Sequence, residues 1–499
     1  MASSQPPSEP PPPKPSVPPS SDEGEEKQDR LDMPGLLLDN APPWLVSALV
    51  HMVGLIVLSL LLLPRLSSKE ISLVVSPVWA EKLGEQLEWD TLMGDEADPT
   101  EEPIVTPTDL PEVSDPIAVP LPLDVTDPGV ALSTDLKSPQ IGLALLGRKE
   151  GMKKSLLAGY GGTAETQAAV ELGLEWLARQ QQKDGSWSLV GPYANGATDE
   201  NRVAATAMAL LAFQGDGNTH RGGRFQTNVS RGWNWLYKKQ DADGNFYSEG
   251  PNYHRFYTNG QCAIAICELY AMTQDKQFRE PAERVIAFLL KSQSPLGGWR
   301  YSPASDSDVS VTGWIVMALQ SARMGGLKVP DDNLKRIERF LDGVALSGGS
   351  RYPYQRGEEP RLAMTAEALL CRQYLGWQRS DRRLIEGLDW ITKEENLVDY
   401  ERNRDVYYWY YAAQACHHME GQHWKRWNER MRQAVPEHQV RTGKEAGSWD
   451  PMKPTMDEWG PNGGRLYVTC LSIYLLEVYY RHLPLYASPF VNPPAAQEE

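Results

Sequence analysis

The sequence has few cysteines and no concentrated run of basic residues. Lys and Arg total 49 against 66 Asp and Glu, which gives a net charge of −17. Binding to nucleic-acid phosphates needs a basic face that displaces counterions, so nucleic acid is excluded as a partner. The odd number of cysteines, all within apolar helical segments, predicts buried thiols rather than a disulfide framework. They are Cys262, Cys267, Cys371, Cys416 and Cys470.

Aromatic residues, in contrast, are abundant. The 16 Trp and 21 Tyr, within 41% hydrophobic residues, indicate a sizeable packed core. A chain of 499 residues exceeds one ordinary domain. Composition predicts five regions: a disordered leader (1–43), a transmembrane helix (44–64), an extended linker (65–150), a helical domain (151–486) and a disordered tail (487–499).

The first two regions predict a membrane anchor behind a disordered leader. Nine of the first twenty residues are Pro and an acidic stretch follows, a composition that does not form a core. The 19 residues from Leu45 to Leu63 carry no formal charge, enough to cross the bilayer hydrocarbon as a helix. Trp44 and Arg65 flank them as interface anchors. A cleaved signal peptide is the alternative, but no small-residue cleavage site follows closely.

Ser47 and His51 lie four residues apart on one face of this helix. An ionisable residue within a span indicates a functional site, unless the histidine reaches the membrane interface. The pattern Ser-x-x-x-His in one N-terminal span before a Pro-rich stretch resembles the anchor of TonB-type energy transducers. The resemblance implies a proton-driven motor complex as partner, an inner-membrane location and a periplasmic C-terminal domain. Basic residues are equally numerous on both flanks, so the positive-inside rule leaves the orientation open.

The linker, residues 65–150, alternates prolines with acidic residues. Such a chain repels itself and stays extended. We therefore expect the linker to hold the helical domain away from the membrane.

An internal repeat begins at about Thr163 and continues to Tyr486. Its unit is a helix, a Gly-rich turn with an aromatic residue, and a second helix. The four clear turns contain Trp187, Phe246, Trp299 and Tyr352, and two weaker ones contain Tyr400 and Trp449. In the first three copies a glutamine precedes the glycine, as Gln180, Gln240 and Gln293 do. Spacings of 59 and 53 residues between successive turns accommodate two helices each.

The second helix of each unit is apolar nearly all round, as expected of a helix buried on every side. The predicted segments are Ala204–Phe213, Cys262–Met272, Val311–Ala322, Ala363–Tyr374, Tyr407–His418 and Leu466–Tyr480. The first helices, such as Ala168–Gln181 and Pro281–Gln293, include charges and predict an outer layer. The fold prediction is therefore all-α, an α/α toroid of about six hairpins. An open solenoid is the alternative, but its ends would need polar caps.

The Gln…Gly-x-Trp turns resemble those of the squalene cyclase and protein prenyltransferase superfamily, the prenyltransferase/squalene oxidase repeat family. This resemblance covers about two thirds of the chain. It implies that the turn before each inner helix lines the mouth of a central cavity. The fold does not transfer the chemistry, which depends on the residues at that mouth.

Class II cyclases of this superfamily carry Asp-x-Asp-Asp at the mouth, and its middle Asp protonates an alkene. Here the third repeat reads Asp306-Ser307-Asp308-Val309. The resemblance implies Asp308 as the general acid and Asp306 as its neighbour, although Val309 replaces the last Asp. The alternative is that Asp308 caps the helix beginning near Val309.

Protein prenyltransferases place zinc ligands at these turns, but Ser310 and Tyr408 stand where Cys and His are needed. The thioester signature of complement-like proteins is also missing, because Gly159-Tyr160-Gly161-Gly162 contains no Cys. We interpret His417, His418 and His423 as surface and core histidines. No metal or other cofactor is expected.

The repeat predicts a set of polar side chains at one mouth, suited to an anionic or hydrophobic ligand or to a protein partner. The expected ligand-binding residues are Asn201, Arg202, Asn259, Arg361, Arg404, Asp405 and Arg465, with Asn462 nearby. Alternatively, each caps or bridges adjacent hairpins. Nearby aromatic residues predict a wall suited to a prenyl chain or a sugar: Tyr257, Trp314, Tyr407 and Trp409.

Two functions remain open from the sequence. One is a membrane-anchored binding or interaction module for an unidentified ligand or protein, without catalysis. The other is an isoprenoid-type enzyme that uses Asp308 as general acid. A deep, dry aromatic cavity below Asp308 would favour the enzyme.

Overall fold

The computed structural model describes residues 145–481 and 483–486, and this part contains fourteen α-helices and no β-strand. The helices are α1 (Glu150–Gly159), α2 (Ala164–Gln180), α3 (Arg202–Gly215), α4 (Gln226–Leu236), α5 (Arg255–Thr273), α6 (Lys276–Lys291), α7 (Val309–Met324), α8 (Asp331–Val344), α9 (Leu362–Tyr374), α10 (Arg382–Ile391), α11 (Val406–Met419), α12 (Gly421–Glu437), α13 (Gly460–Leu476) and α14 (Val478–Arg481). The predicted all-α class is confirmed for these residues.

The helices form two layers, as their polarity predicts. In α7 every residue from Val309 to Ala322 is buried, which fits a helix enclosed on all sides. In α8 only Ile337, Phe340, Leu341 and Val344 are buried. That spacing is the single apolar stripe of an outer helix.

The six inner helices close into a ring. In ring order they are α3, α5, α7, α9, α11 and α13, and α13 packs back against α3. The outer layer closes too, because α12 contacts α2. At this seam the Gln439 side chain donates to the Ala169 carbonyl of α2 at 2.8 Å. The toroid prediction is therefore confirmed, and the open solenoid is excluded for the described residues.

Four of the six turns are fastened by the same glutamine bonds. The glutamine amide donates both to its own turn and to the next outer helix; Gln293, for example, bonds the Gly297 carbonyl at 2.7 Å and the Asn333 carbonyl at 3.0 Å. The Trp299 indole donates to the Leu289 carbonyl at 2.8 Å. The turn glycine is required, since Gly297 has φ +104° and a side chain there would overlap the Arg336 carbonyl.

Two details of the predicted repeat are corrected. In the first copy Gln181, not Gln180, makes the bonds to the turn and to the next hairpin. The last turn was predicted to be weak, yet it is complete: Gln439 bonds Gly447, and Trp449 bonds the Val435 carbonyl at 2.7 Å. Gly447 follows Gln439 by eight positions, compared with four between Gln293 and Gly297, and this longer spacing makes the motif hard to recognise in the sequence.

Four of the six predicted inner segments lie within two residues of the observed helices, but α5 begins seven residues before Cys262 and α13 six residues before Leu466. The predicted segment Leu466–Tyr480 is divided, because α13 ends at Leu476 and α14 starts at Val478. The five cysteines are free and buried, as predicted.

Several predictions lie outside the described residues. They are the leader, the transmembrane helix 44–64 with Ser47 and His51, nearly all of the linker, and the tail after 486. Across residues 145–481 and 483–486, none of the helices combines the length and apolarity that a bilayer crossing requires.

Candidate functional site

Asp308 lies at the mouth, which we define as the end of the ring where the inner helices begin. It is the N-cap of α7, and its Oδ1 accepts the Val311 N–H at 2.7 Å. Its Oδ2 accepts the Tyr354 hydroxyl at 2.8 Å and lies 3.4 Å from the Arg300 Nε. The side chain has no exposed surface. The capping role predicted as the alternative is therefore present.

Burial raises the pKa of Asp308 to about 7, although the bonds from Val311 and Tyr354 act in the opposite direction. A carboxyl group with this pKa is partly protonated at neutral pH. It therefore combines a structural cap with the protonation state that an acid catalyst needs.

Asp306 is close by but more exposed. Its carboxylate pairs with Arg300 at 2.8 Å and accepts the Gln355 amide at 3.1 Å. Partial burial raises its pKa, but bonds from the Ser307 N–H and Arg300 outweigh this and lower it. The two aspartates thus differ in protonation, which follows from their different burial.

Three tyrosines surround this pair at the mouth. The hydroxyls of Tyr301 and Tyr354 are 2.5 Å apart, and the Tyr253 ring lies 6.3 Å from the Tyr301 ring. Tyr253 is 44% exposed. Arg300 lies over the Tyr301 ring and Arg361 over the Tyr354 ring, 4.9 and 5.9 Å from their centroids. Sequence reasoning missed these tyrosines and Arg300, because they precede the helix starts that it searched.

Asp405 and Arg404 support the last loop rather than an open site. Asp405 caps α11 by accepting the Tyr408 N–H at 3.0 Å, and burial raises its pKa to about 7. Arg404 is buried and donates to the carbonyls of Asp450 and Lys453 at 2.5 and 2.7 Å. Its guanidinium therefore holds the loop that leads into α13.

Asn201 and Asn259 are buried and bridge neighbouring elements. Asn201 caps α3 through the Ala204 N–H and donates to the Thr258 hydroxyl of α5, both at 2.9 Å. Asn259 accepts the Phe246 N–H at 2.8 Å. In four other repeats a threonine takes the place of Asn259 and accepts the backbone N–H of the aromatic residue in the turn. These threonines are Thr206, Thr312, Thr365 and Thr469.

The remaining predicted arginines differ in exposure. Arg202 bonds Asp184 and Ser186 and lies over the Trp235 ring. Arg465 is buried, bonding Asp450 at 2.8 Å and the Ala194 carbonyl at 2.7 Å. The Arg361 side chain is 60% exposed and pairs with Glu358 at 3.0 Å. Arg361 is thus the arginine of this set most open to a ligand.

The space inside the ring, the lumen, is crossed by a chain of hydroxyl groups. The Tyr257 hydroxyl of α5 bonds Ser310 of α7 at 2.9 Å, and Ser310 bonds the Tyr407 hydroxyl of α11 at 2.6 Å. Tyr407 in turn donates to Glu367 of α9 at 3.1 Å. Because α5 and α11 are opposite each other in the ring, this chain bridges the lumen.

Glu367 was missed by sequence reasoning, because it lies mid-helix and outside any motif. It is fully buried, and burial raises its pKa well above the usual value. Gly313 on α7 makes room for it, since a Cβ there would overlap the carboxyl group. Gly313 and Glu367 lie on different helices, so no local pattern in the sequence predicts that they are in contact.

Aromatic side chains fill the lumen below this bridge. Trp314 of α7 stacks on Tyr410 of α11 with centroids 5.9 Å apart, and Tyr410 also contacts Tyr474 of α13 at 5.6 Å. Two predicted wall residues, Tyr257 and Tyr407, belong to the bridge above. Trp409 does not belong to the wall, because it packs against Tyr400, 5.0 Å away, on the other face of α11.

The predicted core histidines His417 and His418 are indeed buried, whereas His423 is only partly covered and pairs with Asp389 at 2.8 Å. Among the described residues, no three His, Cys, Asp or Glu side chains are grouped so as to hold a metal ion.

Comparison with known proteins gives a likeness in fold. No protein-family model matches the chain. Lanosterol synthase from Homo sapiens is 32% identical over 143 residues, which cover 27% of this chain and 18% of that protein. The chain thus matches about a fifth of the length of that relative.

Two solved structures are similar over nearly their whole length. An alpha-1,6-mannanase from Salegentibacter has a TM-score of 0.46, with 12% identity over 63% of this chain and 98% of the other. A type II terpene cyclase from Scytonema, in complex with geranylgeranyl dihydroxybenzoate, has a TM-score of 0.43, with 12% identity over 64% and 97%. The lanosterol synthase match and the closed ring support a squalene cyclase-like fold, and identities this low leave the substrate open.

Proposed function

We propose that the toroid is a membrane-anchored binding or interaction module without cyclase activity. The observation that carries this proposal is the bridge Tyr257–Ser310–Tyr407, which joins opposite inner helices across the lumen. A cyclase needs a cavity that encloses a folded isoprenoid chain. Here Trp314 and Tyr410 occupy the space below the bridge.

The state of Asp308 supports the same proposal. Both of its oxygens have bonding partners, and no part of its side chain is exposed. A general acid must reach the atom that it protonates. Partner binding would instead use the exposed groups around it, Tyr253 and Arg361.

The anchor belongs to this proposal. The predicted helix 44–64 would fix the protein in the inner membrane with the toroid in the periplasm. Ser47 and His51 would face a proton-driven motor complex. The toroid would then present its mouth to a ligand or protein beyond the membrane surface.

A second candidate is an isoprenoid-type enzyme, and the pKa of Asp308 favours it. Burial raises that pKa to about 7, and Arg300 lies beside the carboxyl group. Asp308 would transfer its proton to an alkene carbon and remain as a carboxylate next to Arg300. This reaction requires that Tyr354 and the bridge move aside.

The experiment is mass spectrometry of lipids and small molecules that co-purify with the detergent-solubilised full chain, followed by incubation with squalene as a probe. We expect wild type to convert no squalene, and Arg361→Ala to lose any co-purified mouth ligand. Asp381→Asn, a partly exposed cap of the outer helix α10, is the matched control. A cyclised product formed by wild type and lost in Asp308→Asn would overturn the proposal in favour of the enzyme.

A further inference from the structure

The end of the ring opposite the mouth, here called the closed end, carries a repeated polar position. In three inner helices a glutamine near the C-terminus donates to a carbonyl of the next inner helix. These bonds are Gln214 to Ala265 at 2.9 Å, Gln320 to Tyr374 at 3.0 Å, and Gln373 to Ala415 at 3.1 Å. Each of these hydrogen bonds joins two neighbouring inner helices through uncharged groups.

Glutamates lie at about this level near the ends of α5 and α13. Glu477 stands at the glutamine position, eight residues after Thr469, and Glu268 stands one residue beyond it, nine after Asn259. Both are fully or nearly fully buried. A carboxylate cannot donate the bond that the glutamines make. The two helices that carry these acids are the ring neighbours of α3, so both acids face the same place.

Two arginines fill that place. Arg148 bonds Glu268 at 2.8 Å, and Arg481 bonds Glu268 at 3.2 Å and Glu477 at 2.8 Å. All four side chains are at most 2% exposed. Burial raises the pKa of Glu268, but the charges of Arg148 and Arg481 outweigh it and lower that pKa overall. The carboxylate is therefore held ionised by guanidinium groups.

The surroundings of Arg148 also suit a cation. Its Nη1 lies 3.4 Å from the Gln214 carbonyl at the end of α3 and 3.6 Å from the Met272 sulfur in the last turn of α5. Helix C-termini carry partial negative charge. The buried Nε and Nη2 of Arg148 have no partner among the described protein atoms. The guanidinium is thus held by one face only.

The segment that carries Arg148 contacts the ring through a few side chains, among them the partly buried Leu156 and Leu157 of α1. Arg148 is inserted beside Gly147, where any side chain would overlap the Tyr480 carbonyl. The helix that follows, α1, has no buried residue. Its one ion pair joins Lys153 to Asp216.

A glycine-rich stretch after α1 forms a hinge. It is Gly159-Tyr160-Gly161-Gly162, and Gly161 has φ +80°. Trp424 of α12 fixes the Tyr160 carbonyl at 3.0 Å, and Asn428 fixes the Gly161 carbonyl at 3.0 Å. The chain is therefore held at the hinge, while the arm of residues 145–158 is held by Arg148, by Lys153 and by the apolar contacts of Leu156 and Leu157.

We propose that the closed end is a guanidinium-binding site, which the chain fills with its own Arg148, and that residues 145–158 are a releasable latch. Departure of Arg148 leaves Glu268 and Glu477 with Arg481 alone. The vacated site then accepts the arginine side chain of another protein or peptide. This site is distinct from the mouth and does not depend on the function proposed for it.

In the first experiment Arg148 is replaced by alanine, and a small guanidinium ion is added to the solution to occupy the place of the missing side chain. In full-length Arg148→Ala we expect the buried thiol of Cys267, next to Glu268, to react with a maleimide at least about tenfold faster, as loss of ~1.4 kcal/mol of closure implies. Methylguanidinium at low millimolar concentration should return the rate toward that of wild type, whereas methylammonium should not. Only the planar guanidinium group can donate two parallel hydrogen bonds to one carboxylate.

Lys153→Ala is the matched control. It removes the other ion pair of the same arm but leaves the closed end intact. Its thiol reactivity should not respond to methylguanidinium. If Arg148→Ala responds to neither ion, or Lys153→Ala responds equally, the guanidinium site does not exist.

A second variant covers the case in which Arg148→Ala does not fold. Glu268→Gln replaces the carboxylate by an amide of nearly the same shape, so the ring can keep its fold while the site loses its charge. We expect amide hydrogen exchange in residues 150–159 to accelerate about tenfold or more in this variant, with α7 and α9 unchanged. Unchanged exchange in the arm would show that Arg148 is not a latch.

Discussion

The carboxyl groups buried at the two ends of the ring differ in the number of guanidinium groups that they contact. At the mouth, Asp308 and Asp405 cap helices and have pKa values raised to about 7 by burial. At the closed end, Glu268 is equally buried, but its pKa is lowered overall. The difference is the number of guanidinium groups in contact: two touch Glu268 at hydrogen-bond distance, whereas Arg300 approaches Asp308 only to 3.4 Å. Glu477, which pairs with Arg481 alone, has its pKa raised to about 8 by burial.

This comparison shows that burial alone does not decide protonation. A buried carboxylate stays ionised only where a cation offsets its loss of hydration. Glu268 is therefore ionised at neutral pH, whereas Asp308, Asp405 and Glu477 are at least partly protonated. Asp308 and Glu268 should respond differently to mutation and to pH.

The largest expected effect is at the closed end. Arg481→Met removes the one cation that touches both Glu268 and Glu477, and we expect a loss of about 3–5 kcal/mol in the free energy of unfolding. Arg300→Met at the mouth should cost about 1 kcal/mol or less, because Arg300 is 29% exposed and water screens its pair. Denaturant titration measures the free energy of unfolding of both variants, and equal losses would contradict the difference inferred between the two ends.

The next effect concerns pH. Asp308 has a usual pKa of 3.8 and a folded value of about 7. Below pH 4 it is protonated in both states. As pH rises toward 7 the unfolded chain ionises first, so stability is lost. Asp308→Asn keeps an acceptor for the cap but cannot ionise. Its free energy of unfolding should therefore fall less as pH rises, and at pH 8 it should exceed that of wild type by roughly a few kcal/mol at most.

Glu268 should give the opposite slope. Its pKa is lowered in the fold, so its contribution is present at neutral pH and disappears as pH falls below its usual 4.5. Glu268→Gln should therefore lose stability at pH 7 and show a flatter acid limb than wild type. Thermal unfolding from pH 3 to pH 8 measures both variants, and parallel curves would show that the two acids are not held differently.

A smaller effect is expected inside the lumen. Gly313→Ala places a methyl group against the Glu367 carboxyl group and should destabilise by about 1–3 kcal/mol. Gly343→Ala on the outer helix α8 meets no atom within 4 Å and should stabilise by up to about 1 kcal/mol. Chemical denaturation of the pair tests whether the lumen is packed; a stable Gly313→Ala would mean that it is open.

The smallest effect is a cap at the mouth. Asn201→Ala removes the acceptor for the Ala204 N–H and should cost about 0.5–2 kcal/mol. Asp381→Ala removes a partly exposed cap of α10, which also pairs with Arg383, and should fall at the low end of that range. Thermal unfolding ranks the two, and the opposite order would show that burial does not strengthen these caps.

The fold was predictable because its signals are local and repeated. The Gln, Gly and aromatic residue of a turn stand within a few residues of one another in the first three copies, and the inner helices are apolar nearly all round. The exception, Gln439 with its longer loop, shows the limit of such a pattern. Closure of the ring followed from the number of hairpins, because each needs a neighbour on both sides.

The site was predictable only in part. Asp308 is at a helix start, where both the cyclase resemblance and capping chemistry direct attention. Glu367 and Arg148 are recognisable only from contacts between residues far apart in sequence. Arg148 bonds Glu268, 120 residues away, and a single sequence carries no sign of such a pair.

The seam of the ring has a consequence for how the chain folds. Gln439 bonds a carbonyl of α2 that is 270 residues earlier. The apolar flank of the first hairpin therefore stays uncovered until the last hairpin has been synthesised. Contacts this distant in sequence slow folding and lengthen the time during which an incomplete ring exposes apolar surface to aggregation. A ring has no free end once formed, but the growing chain has one throughout its synthesis.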